Sequence, residues 1–171
     1  ASNAFLATKI TFINELANLC EKTNINVEDI SLGIGSDSRI GGRFLRVGPA
    51  YGGSCFPKDT KGLVSAAEKY KTNLSIVKSV INSNHKRVSL LTERVHSILG
   101  KSLKNKKISI LGVTFKPNTD DMRDSTSLKM IPYFCKKGAT VSYYDPSGEK
   151  EEFMKIKNCT YKNNIKENCI N

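Results

Sequence analysis

The apolar positions follow two regimes along the chain. From residue 3 to residue 99 they recur at three- and four-residue steps, the spacing of amphipathic helices. Phe5, Leu6, Ile10, Ile13, Leu16, Ala17 and Cys20 form a broad stripe and predict a helix over 3–22. After a break at Thr23-Asn24, a short helix is expected over 27–33, with Asn26 as its N-cap and Asp29 at the capping-box spacing. Gly33, Gly35, Gly41, Gly42 and Gly48 then punctuate a long irregular stretch. Leu63, Val64, Ala66, Ala67 and Tyr70 predict a helix over 57–70, with Pro57 in its first turn, where a missing N–H costs nothing. Val77, Val80 or Ile81, Val88, Leu91, Val95 and Ile98 predict a long helix over 74–99, ended by Gly100. Roughly 25 helical residues reach nearly 40 Å, enough to link two domains and to pack against a second copy.

Past the basic linker 101–107 the period changes. Ile108-Ser109-Ile110-Leu111-Gly112-Val113 reads as a buried strand. Residues 125–137 read as a helix stopped by Gly138, with Pro132 kinking it or moving its boundary. Thr140 to Tyr144 reads as a second strand, ending at Asp145-Pro146. Strand, helix, strand is a βαβ unit with parallel strands. The loop Phe115 to Arg123 then sits at the carboxyl end of the first strand, where doubly wound folds bind ligands. The tail 149–171 is polar and amide-rich, with a short helix expected over 149–155. The expected architecture is a mainly α domain over 1–100, then a partial α/β, Rossmann-like domain over 101–171.

Composition narrows the choices. In 171 residues there are 27 Lys and Arg against 16 Asp and Glu, a net charge of +11. The lysines are scattered as singles and pairs and no basic–aromatic strip occurs, so a solvated lysine-rich surface is expected rather than nucleic-acid binding. No run of about 18 apolar residues is present, so no membrane-spanning helix is expected. The start, ASNAFLATK, lacks the basic and apolar regions of a secretory signal. Five well-separated cysteines, Cys20, Cys55, Cys135, Cys159 and Cys169, suggest reduced thiols in a cytoplasmic setting and no metal site. His85 and His96 lie three turns apart on the long helix, with no carboxylate at triad-like spacing.

One stretch carries candidate chemistry: Gly48-Pro49-Ala50-Tyr51-Gly52-Gly53-Ser54-Cys55-Phe56-Pro57-Lys58-Asp59. A glycine-rich loop delivers Cys55 to a helix N-terminus, where unpaired amides and the dipole favour a thiolate. Asp59 follows one helical turn later. Gly52 and Gly53 allow positive φ or close approach of a ligand. Spacing alone reads Cys55 first as a buried cysteine after a tight turn, with a nucleophile as the alternative.

The string Gly52-Gly53-Ser54-Cys55-Phe56-Pro57-Lys58-Asp59-Thr60 resembles the catalytic-cysteine motif of the UDP-glucose 6-dehydrogenases, in the UDP-glucose/GDP-mannose dehydrogenase family. Three further stretches agree in order: Asn3-Ala4-Phe5-Leu6-Ala7 with Ile13-Asn14-Glu15, Asp37-Ser38-Arg39-Ile40-Gly41, and Gly112 to Pro117 with Asp120 to Arg123. Four ordered matches over residues 3 to about 146 reverse the ranking of the two readings of Cys55.

The resemblance implies a central helical dimerisation domain followed by part of a UDP-binding domain. It implies NAD-dependent oxidation of UDP-glucose to UDP-glucuronate in two steps, through a thiohemiacetal and a thioester on Cys55, with Asp59 helping water. Asn3, an N-cap by propensity, matches an asparagine that binds a water or substrate oxygen. Arg39 matches an arginine that reaches substrate in the neighbouring subunit. Phe44, Arg46, Tyr51 and Gly52 belong to the loop around the sugar and phosphates. Phe115 and Lys116 match substrate contacts, and Arg123 matches a residue that contacts NAD. The family's active-site lysine falls four residues before Asn3, outside this chain; Lys9 is not its equivalent and is expected to be solvated or structural, as is Glu15. With no GxGxxG anywhere, NAD is expected to bind mainly to a domain absent from the chain, leaving this piece inactive alone. A homodimer through the central helices is expected. Ser54 and Phe56 favour UDP-glucose over GDP-mannose or N-acetylhexosamine substrates. A non-catalytic, dimerising UDP-binding module is the reading from another class.

Overall fold

The computed structural model describes residues 1–169. Four helices come first: α1 (Ser2–Thr23), α2 (Val27–Ser36), α3 (Cys55–Lys69) and α4 (Ser75–Leu99). An α/β segment follows: β1 (Lys107–Leu111), α5 (Ser127–Lys136), β2 (Thr140–Tyr144), α6 (Glu151–Met154), β3 (Cys159–Tyr161) and α7 (Ile165–Cys169). The sequence-based architecture, helical first and α/β second, is the one observed. The chain divides into two compact units, Ala1–Arg87 and Val88–Asn171.

In the first unit α1 turns off at Asn24, which adopts the left-handed conformation, while the Asn26 side chain accepts the Glu28 amide and caps α2. The apolar cluster here is small: Ala7, Tyr51 and Val80, with Ile10 and Phe56 against it. The α2 helix runs on to Ser36, past the expected end at Gly33. Gly35 is there for contact rather than as a breaker. A Cβ on Gly35 would come within 2.8 Å of the Gly42 Cα, so only glycine lets the following loop fold back onto the helix.

In the second unit Leu103, Val113, Met122, Ile131, Phe134, Ala139, Val141, Tyr143 and Phe153 form one contiguous core. Val95 and Leu99, late in α4, pack against it. Leu103 lies in the segment read as a basic linker, yet it is among the most buried residues of the unit. The sheet is parallel in the order β1-β2-β3, with Ile108 opposite Val141 and Val141 opposite Cys159.

Three expectations change here. The strand expected to be buried, β1, has no buried residue, because it forms the sheet edge and keeps only Ile108 and Ile110 half-covered. It ends at Leu111, where Gly112 takes φ +81°. Pro132 lies inside α5 and the helix continues through it. The start moves instead from 125 to 127, because Ser125 and Ser127 turn their hydroxyls onto the Val113 carbonyl. Finally, the tail read as polar with one short helix adds a third strand and a further short helix. Three residues are too few for alternation to register as a strand.

Candidate active site

Cys55 is the first residue of α3 and is exposed to solvent. The buried-cysteine reading is thereby excluded. The Ser54 hydroxyl lies 3.7 Å from its sulfur. Pro57 fills the first turn and is buried, and the Thr60 hydroxyl donates back to the Phe56 carbonyl at 2.7 Å. Phe56 packs its ring edge-on to Tyr51, with centroids 5.9 Å apart, and 6.1 Å from Phe44. That aromatic trio braces the head of the helix from the loop side.

Asn3 is not an N-cap. It sits in the first turn of α1, behind Ala1, and its side-chain Nδ2 donates to Asp59 Oδ2 at 2.6 Å. The other Asp59 oxygen lies 3.6 Å from the Lys58 ammonium. Fifty-six residues apart in sequence, Asn3 and Asp59 thus meet one helical turn from Cys55, because α1 and α3 pack together.

The loop before Cys55 is held by polar side chains that the sequence reading did not single out. Asn84 of α4 pairs with both backbone groups of Tyr51, accepting its amide at 2.9 Å and donating to its carbonyl at 3.0 Å. Arg87 donates through Nε to the Gly48 carbonyl at 2.9 Å, and through Nη1 to the Asn14 carbonyl and the Asn18 side chain. Asn14 Oδ1 accepts the Gly48 amide at 2.9 Å. Asn14, Asn84 and Arg87 are all buried. One signal for them was available: Asn84 and Arg87 occupy three- and four-residue steps in the α4 stripe, between Val80 and Leu91, where an apolar side chain was due. Positive φ in the loop falls on Gly53 and, upstream, on Phe44 at 66°.

Among the other first-unit candidates, Arg39, Phe44 and Arg46 are exposed. Arg39 is locked to Asp37 by a 2.6 Å ion pair, and Arg46 points to solvent. Lys9 is structural, as expected: its ammonium donates to the Ile40 and Gly41 carbonyls, each at 2.9 Å. Glu15 likewise accepts the Ser83 hydroxyl.

In the second unit the loop 112–125 is held at both ends. Asp145, at the end of β2, accepts the Val113 amide at 2.8 Å and the Thr114 amide at 3.4 Å on one oxygen, and the Ser147 amide and hydroxyl on the other. Burial pushes the Asp145 carboxyl up, but these hydrogen bonds, led by the Ser147 hydroxyl, together hold it below the usual range. The same loop carries Phe115, half-buried, and Lys116, whose ammonium lies 5.3 Å from the Phe115 ring centre. Arg123 is paired with Asp121 at 2.8 Å, which lowers the Asp121 carboxyl. His96 is also structural, with Nδ1 3.0 Å from the Tyr133 hydroxyl. Among the described residues no group of three or more His, Cys, Asp or Glu is placed to hold a metal ion. No helix among them is long and apolar enough to cross a membrane.

The chain belongs to the UDP-glucose/GDP-mannose dehydrogenase family: the central-domain model of that family matches residues 1–86, and its UDP-binding-domain model matches 109–171. The UDP-glucose 6-dehydrogenase of Rhizobium meliloti is 50% identical over 148 residues, covering 86% of this chain and 34% of the relative. That of Rickettsia felis is 43% identical over 171 residues, covering 99% of this chain and 38% of the relative. Among solved structures, a UDP-glucose dehydrogenase from the archaeon Pyrobaculum islandicum superposes with a TM-score of 0.88 at 32% identity, covering 96% of this chain and 38% of that one. The chain therefore spans just over a third of the length of these relatives.

Proposed function

We propose that the chain is the cysteine-bearing part of an NAD-dependent UDP-glucose 6-dehydrogenase, in which Cys55 is the covalent nucleophile. The hydrogen bond between Asn3 and Asp59, beside the exposed Cys55, carries the reading. In the proposed cycle Cys55 Sγ adds to the C6 aldehyde formed by the first oxidation, and the adduct's hydroxyl takes up the proton as the thiohemiacetal forms. NAD, when bound, supplies the hydride acceptor for both oxidations. The resulting thioester is split by water, giving the carboxylic acid and returning the proton to sulfur. Asp59, oriented by the Asn3 amide, takes the proton of that water. Asn3 Nδ2 has a second N–H to offer a substrate oxygen.

Arg39, Phe44, Arg46, Tyr51 and Gly52 belong to the substrate side of the first unit, and Phe115 and Lys116 to the nucleotide-sugar surface of the second. Tyr51 serves as a brace for Phe56, since its ring is buried and both its backbone groups are held by Asn84. Arg123 suits an anionic cofactor: it is exposed, and Asp121 fixes its direction. The family resemblance, rather than any dinucleotide fingerprint in these residues, brings NAD into the proposal, and the chain alone is expected not to turn over.

Phe5, Phe12 and Leu19 recur every seven residues on α1 and are all exposed. We assign this seam, with exposed Ile76 of α4, to a homodimer contact. Light scattering checks it, and a monomer at micromolar concentration refutes it.

The mechanism is tested on the full-length gene product by NADH formation with UDP-glucose and by intact mass after mixing. Cys55→Ser is expected to block acid formation, and Asp59→Asn to slow hydrolysis so that a covalent adduct builds up on Cys55. Acid formation by Cys55→Ser at the unmodified rate refutes covalent catalysis.

A further inference from the structure

Two cysteines that the proposed reaction does not use are brought together by the second unit. Cys135 lies in the last turn of α5, and Cys159 opens β3. Cys159 stands opposite Val141 in the parallel sheet, and residues directly opposite one another share a face. Val141 is fully buried in one core with Ile131 and Phe134 of α5, so α5 covers that face. Cys135 follows Ile131 by four residues and therefore lies on the same side of the helix. Both cysteines are half-buried and pack against this core.

The Cys135 thiol donates to the Asn158 carbonyl at 3.7 Å, in the peptide group that leads into Cys159. The same carbonyl accepts the Val141 amide at 2.8 Å, and Asn158 takes the left-handed conformation at φ 66°. The approach to Cys159 is thus fixed by backbone. The two thiols are also hydrogen-bond partners of each other. Burial pushes both of them up, Cys159 to about 12, so each is a poor nucleophile on its own at neutral pH. What the fold supplies instead is proximity.

We propose that Cys135 and Cys159 are a disulfide-forming pair, closed by a peroxide to tie the C-terminal turn of α5 to the start of β3. The peroxide oxidises Cys135 Sγ to the sulfenic acid and leaves as water. Cys159 Sγ then attacks the sulfenic sulfur. The S–S bond forms, the S–O bond breaks, and the hydroxide leaves as a second water with the Cys159 proton. Two thiols give up two electrons and two protons, and the peroxide O–O bond takes them. Because thiolate is scarce in the buried pair, closure is slow and answers prolonged exposure to oxidant. Its effect falls on β3, which has three residues and lies at the edge of the sheet.

The test exposes the full-length gene product to hydrogen peroxide, blocks remaining thiols under denaturing conditions, and maps peptides without reduction. Peroxide also reaches the exposed Cys55, so the readout is mass and not activity. The peptide bearing Cys135 is expected joined to that bearing Cys159, two hydrogen atoms lighter than their sum and separated by reduction. Cys135→Ser and Cys159→Ser should each abolish the joined species. The second readout is hydrogen exchange at the Lys162 amide, which donates to the Tyr143 carbonyl beside β3. Oxidation should slow that exchange by about 10-fold or more in the wild type and leave it unchanged in either variant, since the linked strand cannot leave α5. Separate recovery of the two peptides, as blocked thiols or as sulfinic acids, overturns the pairing. So does linkage of Cys159 to other cysteines as often as to Cys135. A joined peptide with unchanged Lys162 exchange overturns the tie between α5 and β3.

Discussion

The two units hold their candidate loops by different means. In residues 1–87 the buried apolar cluster has three members, and the loop before Cys55 hangs on Asn14, Asn84 and Arg87, which bond to its backbone. In residues 88–171 a core of nine buried side chains carries the sheet, and the loop after β1 is attached to it through Val113, a core member whose amide and carbonyl are both taken by side chains. Hydrogen bonds fix direction and distance, whereas apolar packing fixes density and contributes most of the free energy. The first unit therefore aims its loop through buried polar side chains, and the second ties its loop to one contiguous apolar core.

The largest expected effect strikes the contiguous core of the second unit. Phe134→Ala should cost about 3–5 kcal/mol, the usual range for a buried aromatic. Hydrogen exchange should show the loss in residues 88–169 first; equal loss in both units would mean that they unfold as one. Next comes the clamp. Asn84→Ala removes the side chain that holds the Tyr51 amide and carbonyl, at about 1–3 kcal/mol for each hydrogen bond lost from a buried group. The Tyr51 amide should then exchange faster and the Cys55 loop loosen; unchanged exchange would show that the loop stands without its clamp.

Asp145→Asn removes the charge from the second unit's loop anchor and should cost about 1 kcal/mol at neutral pH, through weaker bonds to Val113 and Ser147. The pH dependence has a definite sign. A carboxyl lowered by folding contributes stability that is present above its unfolded value of about 3.9 and lost as pH falls through the lower folded value. Acid unfolding of the second unit should thus be shallower in Asp145→Asn below about pH 4, as followed by circular dichroism. A parallel acid limb in both proteins would remove Asp145 from the account.

The smallest perturbation compares the thiols. Alkylation needs the thiolate and access to it. Cys55 is exposed, Cys20 is buried, and burial pushes Cys135 up and Cys159 to about 12. Iodoacetamide at neutral pH should label Cys55 well ahead of Cys20, Cys135 and Cys159 by peptide mapping. Cys159 should respond only as pH rises toward 12. Labelling of Cys159 at the Cys55 rate would show that the second unit opens readily.

Legibility from sequence followed the same division. The helices α1, α3 and α4 were readable because each repeats its apolar stripe over three turns or more, and α2 because Asn26 marks its start. The loop motif around Cys55 was readable as a string, and Cys55 and Asp59 are close because a helix places residues four apart on one face. Asn84 and Arg87 were passed over because a polar residue in an apolar stripe reads as a gap until its partner is seen. Asn3 looked like a cap because propensity describes the local chain only. Gly35 looked like a breaker because the close approach of Gly42 is invisible in one dimension. The third strand was missed for its length.

What the sequence determined by itself is local and periodic: the helix positions, the switch from helical to βαβ pattern, and a cysteine delivered to a helix start. Those follow from backbone sterics and the spacing of apolar groups, which act over a few residues. What the tertiary structure decided is every contact across long separations: Asn3 with Asp59, Asn84 with Tyr51, Lys9 with Ile40 and Gly41, Asp145 with Val113. Those depend on how packed elements bring distant backbone and side-chain groups within about 3 Å, where a hydrogen bond forms or does not.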